Sequence, residues 1–136
     1  AYFENENLPG FANWMRVQFA EEQEHALKFF EYILDRGDKV ALQAIPQPAI
    51  DFKSPEDVFK QTLAHEQKVT SLILAIYAEA VAQNDVAAQI FLQWFINEQV
   101  EEEKNASQIL DVLGKIGSSA GGLYQLDHQL GKRKGD

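Results

Sequence analysis

The sequence predicts an all-α fold: a bundle of long helices with one long crossover connection and a short helix near the C-terminus. Three observations carry that prediction. Neither glycine nor proline occurs between Phe11 and Arg36, nor between Glu56 and Leu113, and long stretches rich in Ala, Gln, Glu, Leu and Phe are helical text. The prolines, Pro9, Pro46, Pro48 and Pro55, all stand outside those stretches. The segment 37–54 is long enough to run the length of a neighbouring helix, whereas the break at Asn84-Asp85 is a tight turn.

Each element follows from its punctuation. Pro9-Gly10 opens the first long helix, expected over about 10–36, and Gly37 closes it. Ser54-Pro55-Glu56-Asp57 opens the second, about 55–83, with an N-cap hydroxyl, proline in the first turn and two acids facing the positive end of the helix dipole. Asn84-Asp85 supplies a turn and a fresh N-cap for the third, about 85–114. Gly114, Gly117, Gly121 and Gly122 break the chain before a short amphipathic helix, about 120–131. Each long helix spans roughly 40–45 Å at 1.5 Å per residue. The crossover carries Val40, Leu42, Ile45, Ile50 and Phe52 and is expected to pack over the bundle, with its flanking helices parallel and the next pair antiparallel. A single domain over 1–136 is expected.

Composition narrows the function. Hydrophobic residues are 46% and charged residues 24%, as in a globular domain. No apolar run reaches the roughly 18 residues of a membrane span, and nothing reads as a secretory signal. The absence of cysteine excludes disulfide scaffolds, thiolate metal sites and Cys nucleophiles, and fits a cytoplasmic location. A net charge of −9 argues against nucleic acid as a partner and suits the attraction of cations. The basic triplet Lys132-Arg133-Lys134 reads as a solvated tail.

The inward stripes carry acids where leucines are expected. The third long helix gives Ala88, Leu92, Phe95, Gln99, Glu102, Ala106, Ile109 and Leu113; the second gives Phe59, Leu63, Glu66, Thr70, Ile73, Tyr77 and Ala80. The first gives Phe11, Met15, Gln18, Glu22, His25, Phe29 and Tyr32. Burying an unpaired carboxylate costs several kcal/mol, and no stripe Lys or Arg offsets it. A metal is the economical answer. Glu22-x-x-His25 sets a carboxylate and an imidazole one turn apart on one face, the di-iron and di-manganese bundle motif. With Glu66 and Glu102 on two other stripes and Gln99 adjacent, a carboxylate-rich set with one imidazole suits iron or manganese better than copper or structural zinc.

Here the chain resembles the bacterial and archaeal non-haem ferritins. The resemblance lies in Phe19-Ala20-Glu21-Glu22-Gln23-Glu24-His25, in Ala64-His65-Glu66, and in Phe91-Leu92-Gln93-Trp94-Phe95 followed by Asn97-Glu98-Gln99-Val100-Glu101-Glu102-Glu103. Gly122-Leu123-Tyr124-Gln125-Leu126-Asp127 matches the family's last helix. The resemblance implies a ferritin-like four-helix bundle with one long crossover. It implies iron storage with ferroxidase activity, in which Fe²⁺ is oxidised by O₂ or peroxide and kept as ferric mineral inside a homo-oligomeric cage of twenty-four subunits.

It also implies roles for the site. Glu22 bridges two irons, His25 holds one with Gln99 beside it, and Glu66 and Glu102 hold the other. A third iron site falls on Glu21, Glu98 and Glu101, which a solvated acidic face explains equally well. No haem is expected, since the sole methionine is Met15; separately, Gln99 and Glu102 stand where bacterioferritin-like and other symmetric di-iron proteins repeat Glu-x-x-His. His65 and His128 read as surface residues, Trp14, Trp94 and Phe95 as packing, and Glu103 as a solvated acid near Lys104. Two alternatives stay open, a di-iron or manganese redox enzyme and a metal-free helical interaction module.

Three long amphipathic helices leave a groove that a fourth would close, and Ala1-Tyr2-Phe3 reads as the end of an earlier helix. A preceding helix is therefore expected, which by resemblance supplies a further Glu ligand and a Tyr. Residues 1–136 alone are then expected to be unstable or misassembled and to oxidise Fe²⁺ poorly, and the chain with that helix to form a cage with rapid oxidation, unless a naturally short chain completes its core by dimerising.

Overall fold

A computed structural model describes residues 1–135. It contains five helices and no strand among those residues: α1 (Tyr2–Asn5), α2 (Pro9–Asp35), α3 (Pro55–Ala82), α4 (Val86–Ile116) and α5 (Ala120–Leu130). The long-helix boundaries agree with the sequence reading to within a residue or two. No helix among the described residues is long and apolar enough to cross a membrane.

Local chemistry sets each boundary. Ser54 Oγ accepts from the Asp57 amide at 3.1 Å with Pro55 in the first turn, and Asp85 caps α4 through the Ala88 amide at 3.0 Å. Ser119 does the same for α5 at Gly122, 3.2 Å away. Gly37 ends α2 at φ +79°, where a side chain would be strained, and its amide donates to the Leu34 carbonyl at 2.9 Å. Asn84 turns the chain from α3 into α4 at φ 54°.

The chain divides into two compact units, residues 1–51 with 118–136, and 52–117. In the first, α1 and α5 pack on α2. Phe3 is buried and stacks on Phe11, ring centroids 4.9 Å apart. The N-cap of α2 is Leu8, which offers no side-chain acceptor. Asp127 of α5 supplies one instead, its Oδ1 accepting from the amides of Gly10 at 2.8 Å and Phe11 at 3.0 Å. An acid borrowed from a distant helix thus caps the positive end of α2.

The second unit is the α3–α4 hairpin. Contacts from Gln89 to the Ala80 carbonyl and from Gln99 to Glu66 show the two helices antiparallel, as the tight turn requires. The buried α4 side chains are Leu92, Phe95, Gln99, Glu102, Ala106, Ile109 and Leu113, the predicted stripe less Ala88. Phe59, Glu66, Ile73 and Ala80 of the predicted α3 stripe are likewise buried, with Leu63, Thr70 and Tyr77 half-buried between them.

The crossover departs from expectation. Residues 38–52 carry no regular structure, and Leu42, Ile45 and Ile50 are 83%, 91% and 70% exposed. The ends of the crossover meet the expectation in part, with Val40 and Phe52 half-buried, whereas its middle around Pro46 and Pro48 lays no apolar side chain on a covering surface of this chain.

One pH effect follows from the α3 cap. The Asp57 carboxyl lies below its ordinary 3.8, chiefly because the Lys53 backbone amide donates to it, with help from Gln61. A carboxyl depressed in the folded state stabilises above its unfolded pKa, and that contribution disappears as pH falls through the folded value. Asp57→Asn is therefore expected to reduce the pH dependence of stability below about pH 4 and to leave it unchanged near neutrality, as measured by urea unfolding at several pH values.

Candidate metal centre

The predicted site residues fall into two groups, one per unit. On α2, Glu22 and His25 stand one turn apart as predicted, with Glu22 Oε2 3.5 Å from His25 Nδ1. The His25 side chain is 14% exposed and Glu22 43%. Gln18, one turn earlier and buried, donates from Nε2 to the other Glu22 oxygen, Oε1, at 3.2 Å. The helix thus presents an imidazole and an oriented carboxylate on one face, both suited to a divalent cation.

On the hairpin, Glu66, Gln99 and Glu102 are all buried, at 5%, 4% and 6% exposure. Gln99 Nε2 lies 3.1 Å from the Glu66 carbonyl, 3.3 Å from Glu66 Oε2 and 3.2 Å from Thr70 Oγ1. The amide therefore holds the Glu66 carboxylate and ties α4 to α3 at the level of the acids. Thr70 reaches back to the Glu66 carbonyl at 3.0 Å and donates across to Glu103 Oε1 at 2.6 Å. Buried carboxylates in a stripe of Leu, Phe and Ile keep their charge only where cations or hydrogen bonds offset desolvation.

Several expectations change. Glu103 is half-buried and accepts from Thr70, so it is not a solvated acid. Spacing offered a signal for this, since Glu103 stands one turn beyond Gln99. Arg133 is not part of a free tail: its guanidinium lies 4.5 Å over the Trp14 ring and pairs with Glu21. Glu21, expected either on a solvated face or at a third iron site, is thus held by an arginine. Glu98 is half-buried and Glu101 exposed. Asp127, given no role beyond a place in the last helix's pattern, is the cap of α2. His65 and His128 are exposed, and Trp14 is buried, in keeping with surface and packing roles.

Comparison with known proteins agrees. The family model of the ferritin-like domain matches residues 1–116. The bacterial non-heme ferritin of Staphylococcus haemolyticus is 38% identical over 136 residues, covering all of this chain and 82% of that protein. The one from Bacteroides fragilis is 39% identical over 132 residues, 97% of this chain and 82% of that protein. Among solved structures, an open pore ferritin from the archaeon Archaeoglobus fulgidus superposes with a TM-score of 0.97 at 41% identity, covering 98% of this chain and 82% of that one. On its sequence, its helices and these similarities together, the chain belongs to the ferritin-like family.

Proposed function

We propose that this protein stores iron and oxidises Fe²⁺ to Fe³⁺ on the way into storage, as one ferritin-like domain spanning 1–136. The observation that carries the reading is the burial of Glu66, Gln99 and Glu102 in an otherwise apolar stripe, an arrangement whose desolvation cost a cation offsets. Membership of the ferritin-like family supports it, as do relatives named bacterial non-heme ferritin.

Iron is the substrate. In this reading Glu22 bridges two ferrous ions, His25 binds one with Gln99 beside it, and Glu66 and Glu102 bind the other. Hard oxygen donors favour Fe³⁺ over Fe²⁺ and so drive oxidation. Two ions held together pass two electrons to one oxidant: O₂ takes them with two protons to give H₂O₂, and H₂O₂ takes them with two protons to give two waters. The difference between the imidazole side and the carboxylate side lets oxidised iron move on to storage, which separates this chemistry from an oxygenase that keeps its metal. Glu21, Glu98 and Glu101 form a third iron position through which iron passes more slowly. The protein works in the cytoplasm as a subunit of a twenty-four-subunit cage, and its net charge of −9 draws Fe²⁺ towards the shell.

Titration of the full-length protein with Fe²⁺ in air, followed by absorbance, tests the reading. Oxidation of many irons per chain is the expected result. Retention of only stoichiometric iron would instead indicate a di-iron redox enzyme, and no binding a metal-free helical module. Glu101→Gln is expected to leave the initial fast phase intact and to slow later turnover roughly ten-fold, the lower end for losing a group that tunes a metal site. Sequential additions of Fe²⁺ in a stopped-flow spectrometer resolve the two phases.

A further inference from the structure

Arg133 gathers three α2 residues around a single positive charge. Its guanidinium lies 4.5 Å over the ring of Trp14. Nη1 donates to Gln18 Oε1 at 3.0 Å, and Nη2 pairs with Glu21 Oε2 at 2.5 Å. Gln18 in turn donates to Glu22 Oε1 at 3.2 Å. The ion pair is largely covered, with side chains 19% and 18% exposed. The backbone is anchored as well: Asn13 Nδ2 donates to the Arg133 carbonyl at 3.1 Å, and the Arg133 amide donates to Leu130 at 3.2 Å. A flat forked cation suits this task, stacking on an indole while its edges serve an amide and a carboxylate.

We propose that the Arg133 guanidinium is a built-in placeholder cation on the acidic face of α2: it neutralises Glu21, orients the Glu22 carboxylate through Gln18, and is displaced when a metal ion binds at Glu21. The inference rests on the reading of Glu21 and Glu22 as metal ligands. The chemistry is competition. A guanidinium and a divalent ion seek the same carboxylate oxygen and repel each other at close range, so a metal at Glu21 binds only as the ion pair opens. The Gln18 carbonyl oxygen then loses its donor, so arrival of that ion is relayed to the carboxylate that bridges the other two. Arg133 is thus a positioning residue. By competing at Glu21 it weakens the third position, so that this position fills last.

Trp14 reports the displacement directly, because its ring loses a stacked cation when Arg133 leaves. The test is titration of the intact protein with Zn²⁺, which is redox-silent, in a Trp94→Phe background that leaves Trp14 as the one remaining tryptophan of the two. Fluorescence follows Trp14 and calorimetry counts the sites. The tight Zn²⁺ sites are expected to leave Trp14 emission unchanged and the weakest to shift it. Arg133→Gln should begin at the shifted emission and bind the weakest Zn²⁺ about ten-fold more tightly, the scale of one lost charge-assisted contact. Arg133→Lys, which keeps the charge without the flat fork, should fall between the two and serves also if Arg133→Gln folds poorly. Glu21→Gln should remove both the weak site and the emission change. With Zn²⁺ binding intact, an unchanged weak-site affinity in both arginine variants, or Trp14 emission that stays fixed to saturation in the Arg133 protein, overturns the proposal. Absence of any Zn²⁺ binding overturns the metal reading beneath it, and the proposal with it.

Discussion

Replacing Glu22 with alanine is expected to abolish the fast phase of Fe²⁺ oxidation, lowering the initial rate by at least about 100-fold. Losing a group that merely orients a metal ligand costs roughly 10–100-fold, and Glu22 is the ligand itself, shared between both ions in the proposed centre. The loss should be specific. The Glu22 side chain is 43% exposed, so truncating it leaves no buried cavity and the melting temperature should hold within a few degrees. Stopped-flow oxidation and thermal melts on the same preparation separate chemistry from stability. A fast phase that survives in the alanine variant would refute the shared-ligand role.

The largest expected effect on stability is at Gly10. A Cβ there would sit 1.7 Å from the Asp127 carbonyl oxygen and 2.5 Å from its carbonyl carbon. Those are backbone atoms, with no flexible end to swing aside. In an open helix Gly→Ala gains up to about 1 kcal/mol; here the overlap reverses the sign. Gly10→Ala must push α5 off the start of α2 and with it lose the two amide contacts to Asp127. The expected cost is about 3 kcal/mol or more, a fall of roughly 10 °C in melting temperature. Gly114 is the control, since a Cβ there meets nothing within 4 Å. Calorimetry should find Gly114→Ala neutral or slightly stabilising; equal effects at both glycines would show that α5 is not docked as described.

Periodicity made the hairpin legible, because a helix that buries one face repeats that face in its sequence. Gln99 and Glu102 stood out among Leu92, Phe95 and Ile109, and all five proved buried. What stayed hidden came from partners far apart in the chain. Asp127 looks like one more polar residue of a short amphipathic helix until α5 is set against the uncapped end of α2. Arg133, between two lysines, looks like solvated charge until the face of Trp14 is placed beneath it. The crossover failed in the opposite way: Leu42, Ile45 and Ile50 suggested burial, but apolar content alone does not say which surface receives it.

The Asp127 clamp joins residues 117 apart in sequence, and that separation orders events as the chain folds. Closing a flexible loop of such length costs about 4 kcal/mol of chain entropy before any contact is gained. The α3–α4 hairpin needs only the tight turn at Asn84-Asp85 and can form early. The start of α2 must then wait, its amides uncapped, until Asp127 has been synthesised and α5 has wound. The cap of α2 is therefore among the contacts of this fold that wait on the most chain, and it forms only once α5 is in place.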